Sequence, residues 1–186
     1  MATKKGRERR YDVAALEGFR NREVASLAAT LDELRERVYD QVIDLPQEAL
    51  DYVAGSTRLS VGRLLLHLGW AEINWVKRLS RAIGPEDLEQ ALSRGALGAF
   101  GGEPPRVGPA AALVSLCRRV RDEVTVPCLR TVADVDEKRL DDGSTVRGVL
   151  MHLVWHWIYH SGHIGLLSFE AGHDYEWTMR RPLSSL

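Results

Sequence analysis

Between Leu150 and His163 the chain reads Leu-Met-His-Leu-Val-Trp-His-Trp-Ile-Tyr-His-Ser-Gly-His, which sets four of its six histidines within twelve residues. Wound as a helix at about 100° per residue, His163, His156 and His160 fall about 20°, 40° and 80° from His152, so one face becomes a column of imidazoles. Val146, Val149, Leu150, Leu153, Trp157, Ile164 and Leu167 form an apolar stripe centred roughly 130° from His152. The histidines therefore flank a face that must be buried, and the segment is predicted to be a core helix with a polar edge. His156 and His160 stand four residues apart, so both rings can reach one metal ion from successive turns. Trp157, Ile158 and Tyr159 lie between them and bring no carboxylate, which excludes the helix of a metalloprotease. A third ligand must come from elsewhere.

Three more segments carry helical spacing. Leu27, Leu31, Leu34, Val38 and Val42 mark a first helix over 13–43, stopped by Leu45-Pro46. Ser60 is a predicted N-cap for a second helix over 61–83, in which Val61, Leu64, Leu65, Leu68, Trp75, Val76 and Leu79 share one side. His67 lies at the edge of that side, with Asn74 about 20° from it. Glu72 falls near its centre, where a carboxylate needs a partner, either an imidazole N–H or an arginine such as Arg63 or Arg118. Residues 84–108 hold six glycines and three prolines, with a short helical turn at 85–93. Fully extended, this stretch spans about 80 Å, enough to carry the chain back along a twenty-residue helix of about 30 Å. A third helix is expected over 109–132, kinked or divided by Pro127. Ser144 or Thr145 caps the fourth, which Gly172 ends. No convincing strand pattern appears, so the fold class is all-α, a four-helix bundle with long connections between helices.

At 186 residues, 45% apolar and 27% charged, the chain fits one domain able to bury a core. Lys4, Lys5, Arg7, Arg9 and Arg10 against Glu8 make the first ten residues +4, while the total of -1 leaves -5 for the rest. Residues 1–12 are read as a flexible, solvated basic tail on a domain of 13–186, and nucleic acid is not expected as a partner. No apolar run approaches the roughly 18 residues of a membrane span, and the start lacks the apolar region of a signal peptide, so a cytoplasmic protein without membrane contact is expected. Cys117 and Cys128, about 16 Å apart if on one helix, are expected to be free and buried rather than bridged or metal-bound.

His67 within Leu-Leu-Leu-His-Leu-Gly-Trp-Ala-Glu-Ile-Asn-Trp, with His156-x-x-x-His160-x-Gly-His163 some ninety residues on, resembles the DinB-like (YfiT-like) family over roughly 27–172. The resemblance implies an up-down-down-up bundle in which the long second connection is the return stroke. It also implies zinc, nickel or a related divalent ion held by His67, His156 and His160, and a homodimer. The family commonly has Gln where this chain has His163, which leaves that residue as a fourth ligand, a substrate contact or a substitute for an amide hydrogen bond. His152 also occurs in relatives, outside the triad. Relatives of known activity are transferases or isomerases using a low-molecular-weight thiol such as bacillithiol or mycothiol, and others are proposed metal-dependent hydrolases.

Three neutral imidazoles leave an ion its charge and leave coordination positions open, the arrangement of catalytic sites. Such an ion can hold a thiol as thiolate or activate water, so an S-transferase acting on a small electrophile is expected first and a hydrolase second. A bundle that binds metal without catalysis is the reading from another class. Three histidines suit zinc, nickel, iron and copper alike, with manganese also carried as a candidate. Trp155 and Tyr159, near 300° and 340°, lie across the column from the apolar stripe, where they wall a substrate pocket or form a dimer face. Tyr159 is a candidate proton or hydrogen-bond donor to substrate. Arg118, Arg119 and Arg121 form a basic cluster that either meets an anionic thiol or is a solvated face.

Overall fold

A computed structural model of the protein describes residues 1–9, 12–55, 58–80, 84–95 and 107–178. Its long elements are helical. The first, α1 (Arg22–Val42), starts at Asn21, whose side-chain oxygen accepts the N–H groups of Glu23 and Val24 at 2.9 and 3.1 Å. The helix is shorter than predicted because Gly18 turns the chain at φ 78° and Asn21 supplies a true cap. Leu16 and Phe19 still pack on the core from the segment before it. A single turn, α2 (Gln47–Leu50), follows Pro46. Ser60 then caps α3 (Val61–Ser80) as predicted, its Oγ accepting the Arg63 N–H at 3.3 Å. The expected end of that helix at Ile83 lies outside the described residues.

The next connection carries α4 (Glu86–Leu92) and a 3-10 turn, Ser93–Gly95. Its remainder over 96–106 is outside the described residues. Pro127 does divide the predicted third helix. It lacks an N–H and its ring crowds the carbonyl four residues back, and the chain passes from α5 (Ala110–Arg119) through a π turn, Val120–Thr125, into α6 (Val126–Arg130). The last helix, α7 (Val146–Glu170), is capped by Thr145, which accepts the Gly148 N–H at 3.1 Å. Gly172 at φ 88° follows its end.

The contacts fix how these helices lie against one another. Arg147 on α7 meets Glu23 at the start of α1, and the Gln41 amide near the end of α1 lies against Gly165, so the two run in the same direction. His67 meets His156 while Trp75 meets His152, so α3 runs against α7. Cys117 reaches the Leu65 carbonyl and Cys128 the Val76 carbonyl, so α5 and α6 follow α3. Leu31, Leu64, Leu68, Ile73, Leu129, Leu150, Leu153 and Trp157 are buried between them. Glu72, the carboxylate placed in the middle of the α3 stripe, sits at this junction.

The start of the chain departs from expectation. In place of a flexible, solvated tail, β1 (Ala2–Lys5) pairs in parallel with β2 (His173–Glu176), Ala2 opposite His173 and Lys5 opposite Glu176. The cause is the acidic end of α1. Lys4 Nζ lies 2.6 Å from Asp44, the Arg7 N–H donates to Asp40 at 2.9 Å, and the Tyr175 hydroxyl donates to the same Asp40 oxygen at 2.5 Å. Basic residues expected to be solvated thus find fixed acids. Among the described residues, no helix is long and apolar enough to cross a membrane.

Candidate metal centre

The structure brings together His67 from α3 and His156 and His160 from α7, with one donor atom of each lying within 4.8 Å of the others. The Nε2 atoms of His67 and His156 are 3.1 Å apart. Two nitrogens each 2.0–2.1 Å from a tetrahedral ion stand about 3.3 Å apart, so this spacing fits one ion between them. The three ring centroids are mutually 4.5 to 5.0 Å apart. Antiparallel packing of α3 on α7 is what meets the sequence spacing. Pairing Trp75 with His152 and Glu72 with Trp157 leaves His67 level with the turn that joins His156 to His160.

Which nitrogen each ring offers is set by its other partner. His67 Nδ1 lies 2.9 Å from the carbonyl oxygen of Gly95. A carbonyl only accepts, so the proton sits on Nδ1 and Nε2 keeps a bare lone pair facing His156. Gly95 is a residue that helical spacing and motif do not reveal. A Cβ there would stand 2.3 Å from both the carbon and the oxygen of the Leu66 carbonyl, so only glycine lets the 3-10 turn press against α3 and deliver this oxygen. The sole signal in the sequence is that Gly95 belongs to a glycine-rich connection. On the other helix, His160 Nδ1 lies 3.3 Å from His163 Nδ1. With His160 as the donor its Nε2 is left for an ion, and His163 is a hydrogen-bond partner of the trio rather than a member of it. Buried His156 has no hydrogen-bond partner for Nδ1 among the described residues.

Burial is the first cause that lowers the pKa of all three rings. It takes His156 to about 4 and His160 to about 3, with repulsion from the neighbouring imidazoles adding to it. His67 is lowered by burial as well, partly offset by its bond to Gly95. The trio is therefore neutral at pH 7, the state a metal ligand requires.

Residues 26–168 match the family described as mycothiol-S-transferase. The chain belongs to the mycothiol S-transferase family. This is a DinB-like family, in keeping with the resemblance carried by His67 and the His156–His163 run. No curated protein matches the chain significantly.

In this family member the remaining candidates fall into two groups. His152 stacks on His156 at 5.7 Å and packs on Trp75 at 4.8 Å, extending the row of rings away from the trio. Tyr159, half exposed, stands edge-on to His160 at 5.1 Å and to His163 at 4.5 Å. Both stay beside the centre, whereas two others turn away. Asn74 donates to the Trp70 carbonyl of its own helix at 2.7 Å. Among the described residues, the partners of Glu72 are not imidazoles. Its carboxylate takes Arg35 Nε at 3.2 Å, Thr125 Oγ1 at 2.5 Å and Trp157 Nε1 at 3.0 Å. The ion pair allowed for Glu72 exists, but with Arg35 of α1, because Arg63 and Arg118 are engaged elsewhere.

Among the described residues the mycothiol S-transferase fold provides no reactive thiol of its own. Cys117 and Cys128 are free and buried, and burial pushes the Cys117 thiol up to about 12. The basic cluster is also occupied. Arg121 pairs with Asp32 at 2.6 Å, Arg119 with Glu123 at 2.7 Å and Arg118 with Glu36 at 3.3 Å.

Proposed function

We propose that this chain is a divalent-metal-dependent thiol S-transferase in which His67, His156 and His160 hold the ion and a small electrophile receives the sulfur. The observation that carries the reading is the meeting of three neutral imidazoles from two helices, in a chain of the mycothiol S-transferase family. The helix directions support an up-down-down-up four-helix bundle, which we take as the fold. Zinc or nickel is the ion we propose, and mycothiol or bacillithiol the class of thiol cosubstrate, in a cytoplasmic protein.

When bound, the ion would supply Lewis-acid charge that favours the deprotonated form of a thiol at neutral pH. The protein's own residues do the rest. The Gly95 carbonyl fixes the tautomer of His67, so its Nε2 lone pair is aimed before an ion arrives. Burial keeps the rings from taking the proton that a thiol must lose. Tyr159, beside His160 and half exposed, is placed to donate a hydrogen bond to charge that develops on the electrophile.

The test is conjugation of a low-molecular-weight thiol to monochlorobimane, run beside ester and amide substrates. Metal-loaded protein should form the thioether, lose the activity with a chelator and regain it with the ion. Turnover of esters or amides without any thiol would contradict the proposal.

A further inference from the structure

The last turns of α7 border a cavity that the metal centre does not use. It encloses about 290 Å³ between the terminal strands and the C-terminal ends of α1 and α7. That is the space of roughly ten waters, too much for one bridging water and close to the lower end of the range for ligand pockets. Lys4 and Tyr175, opposite one another in the sheet, both reach the end of α1. Side chains alternate along a strand, so Ala2 and His173, the pair two positions back, share that inner face. The helices close the other side with Gln41, Asp44 and Ser168. Asp44, 71% exposed at its side chain, marks the edge that water reaches.

Two groups on the helical side have nothing to bond. Gln41 and Ser168 are 4% and 1% exposed, yet Gln41 Oε1 and Ser168 Oγ find no hydrogen-bond partner among the described residues. Such groups are rare, because each gives up its bond to water and receives none in return. Loose packing does not put Gln41 there. Its Nε2 lies over Gly165, where a Cβ would stand 3.3 Å away, and glycine inside a helix weakens it relative to alanine. A glycine thus seats the amide beside the cavity.

The wall also selects what can enter. Lys4 Nζ pairs with Asp44 at 2.6 Å and donates to the Asp40 carbonyl, while the Tyr175 hydroxyl donates to the Asp40 carboxylate. The carboxylate of Asp174 belongs to the opposite face of its strand. Among the described residues of the wall, an anion therefore meets no unpaired Lys or Arg and a cation no unpaired carboxylate. What is left is an oxygen that only accepts, a hydroxyl that donates and accepts, and the imidazole of His173, beside the flat ring of Tyr175. Hydroxyl groups on a compact carbon skeleton match this set. We propose that the cavity binds a neutral polyhydroxylated molecule of about monosaccharide size, one hydroxyl donating to Gln41 Oε1 and another bonded to Ser168 Oγ. Ser168 is eight residues beyond His160, about 12 Å along α7, and it faces α1 where the histidines face α3. The site is thus separate from the ion, and the proposal stands whether or not the chain is a thiol transferase.

Amide chemical shifts of the ¹⁵N-labelled full chain, titrated with D-glucose, D-galactose, sorbitol, choline or acetate, test it. At least one of the three polyols should saturate in the millimolar range, moving the amides of Lys4, Gln41, Ser168 and Tyr175 and leaving those of His67 and His156 in place. Choline and acetate should leave all of them unmoved. Gln41→Met keeps the length of the side chain and removes the accepting oxygen, so it should weaken the bound polyol about tenfold. Ala2→Trp, at an exposed position, should abolish binding by filling the cavity, with helix content unchanged. If none of the polyols saturates below about 50 mM, the cavity holds water only and the proposal is overturned. It is equally overturned if choline or acetate moves the same amides more readily, or if a polyol binds both variants as it binds the wild type.

Discussion

Because a Cβ at residue 95 would stand 2.3 Å from the Leu66 carbonyl, any larger residue must lift the 3-10 turn and draw its oxygen away from His67 Nδ1. The ring would then lose the bond that fixes its tautomer. Gly95→Ala is expected to lower divalent-metal affinity about 10- to 100-fold while leaving all three imidazoles in place, as read by competition with a chromophoric chelator. Unchanged affinity would mean that the tautomer is held by something else. The histidines themselves are legible in the sequence because helical spacing is a local property, and His156, His160 and His163 share a face whatever surrounds them. Gly95 is not. Its role depends on a contact with a ring 28 positions earlier, and nothing in a glycine-rich stretch distinguishes the glycine that is pressed against a helix from those that only turn the chain.

Among the elements, Glu72 ties the helices together rather than serving the ion. Arg35 from α1, Thr125 from the π turn and Trp157 from α7 converge on one carboxylate of α3. The π turn before Pro127 supplies Thr125, so the residue predicted to damage a helix instead accompanies a register change that presents a hydroxyl to the core. Glu72→Gln would strand the buried Arg35 guanidinium and should cost about 3 kcal/mol of stability by chemical denaturation. Metal affinity should stay at the wild-type level, since no ligand ring is touched. A stable variant with weakened metal binding would reverse this assignment. The sequence shows that a buried carboxylate needs a partner, but Arg35 is only one of many arginines on helix faces. The start of α1 is hidden for a related reason, since the apolar residues Leu16 and Phe19 pack on the core from a loop and imitate helical continuity.

For the whole molecule, the packing of α3 on α7 places the trio, His67 and His156 buried and His160 partly so, in a setting that can be probed by pH. His156 and His160 titrate near 4 and near 3 when folded, against about 6.5 in an unfolded chain. The unfolded state therefore takes up protons first. Stability of the metal-free protein should be full above about pH 6.5 and fall as the pH drops toward 4. Asp40 acts in a lower range. Burial opposes its ionisation, yet the bonds from Tyr175 and Arg7 hold its carboxyl below the usual value, so its contribution is lost only at more acid pH. Urea midpoints at pH 7.5 and 5 separate the two, and equal midpoints would contradict the buried neutral trio. The core stripes and the His-bearing face are legible because each repeats within a few turns of one helix. The strands β1 and β2 are not, since they form only when Lys4, Arg7 and Tyr175 meet Asp40 and Asp44. The central claim is most directly tested by elemental analysis and X-ray absorption of metal-replete protein beside His67→Ala and His156→Ala. One divalent ion per chain, bound by imidazole nitrogens with a solvent-filled position and lost in both variants, is the predicted result. An ion-free wild type, or an ion retained equally in both variants, would contradict it.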